Sequence, residues 1–117
     1  MQGYGKGMST LTATEHAALR LFKQKLTAAF PGRLEELKLF GSKARGDAGP
    51  DSDVDVLVVL RTGSGQDGLM VCDLAAETLA ATGVDISPKT YTRAQVAEKR
   101  RRRNVFFQSV DSDAVVL

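Results

Sequence analysis

The sequence has no tryptophan, one cysteine and one histidine among 117 residues. The lone Cys72 rules out an internal disulfide framework and suits a reducing compartment, which makes the cytoplasm the expected location. His16 has no cysteine or second histidine near it in sequence, so it reads as an ordinary helix residue and not as a metal ligand. No apolar run approaches the ~20 residues of a membrane span, and the N-terminus lacks the order of a secretory signal. No stretch interleaves aromatics with basic residues, so base stacking, and with it nucleic-acid binding, has no support. Internal repeats and long linkers are absent too.

What remains is ordinary globular material, 43% hydrophobic and 26% charged, with a formal net charge of +2. Residues 1–10 carry three glycines and are expected to be a disordered lead, leaving 11–117 as a single domain. Charge is unevenly placed. Acids gather at 47–55 and 111–113, whereas Lys99 to Arg103 is an unbroken basic run. That run suits a solvated helix face, or a site for RNA or an acidic partner.

The periodicity predicts a helix from Ala13 to Phe30, with Thr12 and Glu15 in capping-box spacing and Pro31-Gly32 as the stop. Its stripe is Ala18, Phe22, Leu26 and Ala29, flanked by Leu19 and Phe30. A strand should enter the Gly41-Ser42 turn from about Leu37, because Glu35-Glu36 favours helix. Gly46, Gly49 and Pro50 bar a long helix from the following loop. Val54 to Leu60 is β-branched and apolar on both faces, which places it at the centre of a covered sheet.

Leu69 to Ala81 reads as a helix closed by Gly83, with so thin a polar face that it should be covered by the sheet or a second chain. Cys72 on it reads as a small core residue. Val84-Asp85-Ile86 is expected to be a short strand cut off at Pro88. Thr92 and Gln95 form a second capping-box pair, opening a last helix through the basic run. Beyond it Val105, Phe106 and Val110 are expected anchors, and Ala114 to Leu117 an apolar tail. The order helix, strand, strand, helix, strand, helix makes a small α/β layer structure.

Chemistry concentrates at 41–55. Asp53 and Asp55 leave the same face of a strand, ~6.6 Å apart along its axis, within reach of common cations. Turn chemistry at a strand entrance would also account for them. Gly41 lets the backbone approach a phosphate, Ser42 adds a hydroxyl donor, and Arg45 offers a planar fork. A helical turn beginning at Lys43 would favour the same anion, while the Lys43 ammonium is a point charge that binds phosphate or simply faces solvent.

Gly41-Ser42, ten residues, then Asp53-Val54-Asp55 resembles the signature of the minimal nucleotidyltransferases of the DNA polymerase β superfamily. Phe40, Ala44-Arg45-Gly46 and Ser52 fit as well, and the likeness spans about residues 12 to 117. It implies a nucleotidyltransferase fold, a small mixed β-sheet covered by helices. It implies a third carboxylate on a later strand, matched by Asp85; the lesser alternative puts Asp85 on the surface face of an edge strand. Asp67 and Asp73 are weaker candidates.

In that likeness Asp53, Asp55 and Asp85 are the catalytic and metal-binding set for Mg2+, in a two-ion site. Gly41, Ser42, Lys43 and Arg45 hold the phosphates of a nucleoside triphosphate donor, ATP by expectation. The stretch after the last expected helix is short, so little room is expected for an extra domain to grip an acceptor. Short members of this kind are similar to the antitoxin half of two-gene modules, whose partner is a helical HEPN-domain ribonuclease; a homodimer could also build the acceptor pocket. Asp113-Ala114 departs from the acid-glycine step the resemblance leads one to expect. Three readings follow: a transferase that modifies a partner protein, a transferase acting on a small molecule such as an aminoglycoside, and an antitoxin that binds its toxin without catalysis.

Overall fold

Thr12 starts the fold by accepting the Glu15 amide while the Glu15 carboxylate takes the Thr12 amide in return, at 3.0 and 2.9 Å. This reciprocal cap opens helix α1, Ala13–Ala29. The computed structural model describes residues 11–47, 49 and 53–117. The expected lead at 1–10 and the loop positions 48 and 50–52 lie outside the described residues.

After α1 come β1 (Leu34–Phe40), α2 (Ser42–Arg45), β2 (Val54–Leu60), α3 (Asp67–Thr82) and β3 (Ile86–Thr92), then α4 (Arg93–Arg101), α5 (Val105–Asp113) and β4 (Val115–Val116). Among the described residues the strands form one four-stranded mixed sheet, ordered β3-β2-β1-β4. β1 runs antiparallel to β2 and β4, and β2 runs parallel to β3.

β2 is central, as its two apolar faces require. Val54, Val56, Val58 and Leu60 join the core beneath α1 and α3, with Ala18, Phe22, Leu26, Val71 and Ala75. Leu57 and Val59 point the other way, into a smaller cluster with Phe40, Val96, Phe107 and Val110 under α4 and α5. Helix pairs therefore cover both faces. An aromatic row crosses the α4/α5 side: Phe40, Phe106, Phe107 and Tyr91 meet edge to face at 5.1–5.2 Å. No helix is long and apolar enough to cross a membrane among the described residues.

Four expectations are corrected. β1 begins at Leu34, because Glu35 is held by Arg61 and Arg93 and Glu36 by Lys38, which offsets the poor strand preference of the acids. β3 runs straight through Pro88, opposite Val56; as an edge strand it can seat a residue that donates nothing to the ladder. The chain turns between α4 and α5 at Arg103, φ +56°, with Asn104 capping α5. This turn buries Phe107 and Val110 and half-buries Phe106, so of the expected anchors only Val105, 78% exposed, stands out in solvent. Finally, α3 buries only Asp67, Val71, Ala75 and Thr78. Leu69, Met70 and Leu79 are exposed, and so is Cys72, one position round the helix from the buried Val71.

Candidate active site

β1 delivers the chain to Gly41, whose φ of +77° and ψ of −158° belong to a region that only glycine occupies comfortably. Space imposes the same choice. A Cβ at Gly41 would stand 2.5 Å from Asp55 Oδ2. The Gly41 carbonyl then accepts from the Ala44 and Arg45 amides, closing the helical turn that the sequence suggested. Gly46, in the left-handed region at φ +86°, ends it.

Lys43 departs from expectation. It is 4% exposed, and its Nζ donates to Glu15 Oε2 at 2.8 Å. Its ammonium is paired with the start of α1 and does not face open solvent. Burial pushes Glu15 upward, but the Lys43 hydrogen bond and the Thr12 amide outweigh it and hold the carboxyl below its ordinary value. Nothing in the sequence spacing pairs residues 15 and 43. Arg45 is exposed, with Nε 3.3 Å from Asp47 Oδ2.

Strand register assembles the acids. Val54 stands opposite Ile86, and the Val54 amide donates to the Asp85 carbonyl at 3.0 Å. Asp53 and Asp85 consequently lie side by side at the starts of adjacent strands, both exposed. Asp55 is half-buried between Phe40 of β1 and Ser87 of β3. By alternation, Asp53, Asp55, Asp85, Ser87 and Lys89 share the α4/α5 side of the sheet. Burial and the neighbouring Asp53 charge raise Asp55 above the usual carboxylate range, against the weaker pull of Lys89 and Arg45.

Two carboxylates on one strand face beside a glycine turn make a donor set suited to a hard cation. Mg2+ takes one or two carboxylates and fills its remaining positions with phosphate and water. The expected three-acid metal set does not close up: among the described residues no three acidic, histidine or cysteine side chains, Asp53, Asp55 and Asp85 included, converge into a metal cluster.

The other candidates lie elsewhere. Asp67 is buried, accepting from Ser64 N and Arg33, and those bonds lower its pKa against the opposing effect of burial. It braces the loop before α3. Asp73 is exposed on α3. A cavity of about 460 Å³ lined by Leu60, Gly63, Ser64, Asp67, Tyr91 and Gln95 sits at the opposite end of β2 from the acids.

The sequence profile of the nucleotidyltransferase domain family matches residues 19–111. The chain belongs to this family. A protein of Methanocaldococcus jannaschii, provisionally named a protein adenylyltransferase, is 37% identical over 73 residues, 62% of this chain and 69% of that one. A crystal structure from Sulfolobus solfataricus, provisionally titled a nucleotidyltransferase, covers 99% of this chain and 90% of its own. It shares 22% identity at a TM-score of 0.44, too weak a likeness to carry more. The chain is thus a nucleotidyltransferase enzyme with a nucleoside triphosphate as donor, in the mixed α/β fold that the resemblance implied.

Proposed function

We propose that this nucleotidyltransferase moves AMP from ATP to a hydroxyl of a partner protein, as the antitoxin of a HEPN-type toxin pair. The observation that carries the chemistry is the row of Asp53, Asp55 and Asp85 on one sheet face, with Asp55 packed against the Gly41 turn. The protein acceptor is supported by the name of the archaeal relative, and the toxin pairing by the resemblance of short members to such antitoxins. The exposed Leu69, Met70 and Leu79 on α3 give a partner a surface to cover.

The turn at Gly41 and Ser42 would bind the β- and γ-phosphates through backbone amides and the Ser42 hydroxyl, with Arg45 set against the charge of departing pyrophosphate. Asp53 and Asp55 would hold Mg2+, with Asp85 alongside. When bound, that ion offsets phosphate charge and fixes the triphosphate for in-line attack. Asp85, exposed beside Asp53, would take the proton of the acceptor hydroxyl as its oxygen bonds to the α-phosphorus and the bond to pyrophosphate breaks.

The test is to incubate the protein with α-phosphate-labelled ATP, Mg2+ and the product of the neighbouring gene. Label should move to the partner, and Asp53→Asn or Asp55→Asn should reduce it by at least about 10²-fold. Binding without label would show a non-catalytic antitoxin, and full labelling by either variant would remove the acids from the mechanism.

A further inference from the structure

Three acids and a triphosphate would gather much negative charge on one patch of sheet, so the cations that face it matter. Two basic residues flank Asp55: Arg45 on the turn after Gly41, and Lys89 on β3, the strand paired with β2. Arg45 stands on the turn side, against Asp47. Lys89 stands on the other side, on β3 opposite Leu57 and two residues beyond Ser87, the partner of Asp55. It is exposed, and among the described residues its side chain makes no hydrogen bond or ion pair. The next residue on the same face of β3 is Tyr91, where the aromatic row begins. Lys99 lies over that ring at 5.9 Å. Lys89 is therefore the last side chain on its strand before the face closes over, and it borders the acids.

We infer that Lys89 is a further substrate-binding residue, whose ammonium meets a non-bridging oxygen of the transferred α-phosphoryl group on the side away from the pyrophosphate. This rests on the nucleotide site proposed above. The geometry divides the donor between two strands. The turn after β1 carries Gly41, Ser42 and Arg45 for the leaving half, whereas Asp85, just before β3, serves the acceptor and Lys89, on β3, the group that passes between them. A compact ammonium on a flexible stem suits an oxygen whose position shifts as the phosphorus inverts. An alternative origin for an exposed lysine on an edge strand is protection against pairing with another chain, and the two roles make opposite predictions.

The experiment is calorimetric binding of two probes in Mg2+, α,β-methylene-ATP and pyrophosphate, to the wild type and to Lys89→Met and Lys89→Arg. Lys89→Met should weaken the nucleotide analogue about ten-fold, the worth of one charge-assisted hydrogen bond, and leave pyrophosphate unchanged. Lys89→Arg should retain most of the affinity, and the thermal midpoint of neither variant should move. Unchanged binding of the analogue by Lys89→Met would leave the residue an edge lysine only. Equal weakening of both probes would place it on the pyrophosphate side and overturn the assignment. A wild type that binds neither probe would overturn the nucleotide site itself, and this inference with it.

Discussion

The backbone of Gly41 and the carboxylate of Asp55 pack so closely that a single methyl group between them would stand 2.5 Å from Oδ2. The turn proposed for the phosphates and the carboxylate proposed for the cation are thereby held as one unit across the β1–β2 hairpin. Gly41→Ala should cost at least about 2 kcal/mol, from the left-handed φ together with the displaced carboxylate. It should also abolish binding of ATP in Mg2+. Chemical denaturation and calorimetry read the two effects separately, and a variant with wild-type values for both would break the link.

Asp55 carries a charge at a cost to the fold. Its raised carboxyl means that the folded state binds a proton more readily than the unfolded chain. The penalty is full above that raised value and is relieved as pH falls through it. Asp55→Asn keeps the shape and removes the charge, so in the absence of metal at neutral pH it should melt higher than the wild type, with the difference shrinking as the solution is acidified. A lower melting point at neutral pH would show the charge to be satisfied within the chain.

Lys43 and Glu15 tie the turn to the start of α1 through an ion pair whose side chains are only 5% and 13% exposed. Taking one partner from a buried pair leaves an uncompensated charge, so Lys43→Met should destabilise by about 3 kcal/mol. Glu15→Gln preserves the capping box, and adding it to Lys43→Met should restore part of the loss. Because Glu15 titrates below its ordinary 4.5 in the folded chain, the stability it contributes is complete above that pH. It is lost as pH falls through the depressed value. A denaturation series over pH 2 to 6 for wild type and Glu15→Gln measures that difference; parallel curves would refute the pairing.

Local chemistry was readable from the sequence and distant register was not. Thr12 and Glu15, Thr92 and Gln95, and the closing Gly83 act within a few residues, and each stands where its spacing indicates. β2 was legible because only a central strand tolerates apolar residues on both faces. The start of β1 was hidden because ion pairs from Arg61 and Arg93 offset the local preference of Glu35. Lys89 was hidden by Pro88, which ends a strand in isolation but is tolerated at a sheet edge. Its position beside the acids appears only once β3 is paired with β2. The burial of Lys43 depends on a contact across 28 residues, for which no periodicity exists.

The meeting of Asp53 with Asp85 is a matter of phase. β3 lies on the open side of β2 and is joined to it through the whole length of α3. A slip of one residue between the two strands would turn Asp85 toward α1 and α3 and present Val84 or Ile86 to the acids. What prevents the slip is greasy and remote from phosphate chemistry: Val84 and Ile86 are embedded in the larger core. Asp85 thus owes its alignment to two apolar neighbours, and an overgrown or underfilled core there would throw the proposed catalytic set out of step while every charged residue remained in place.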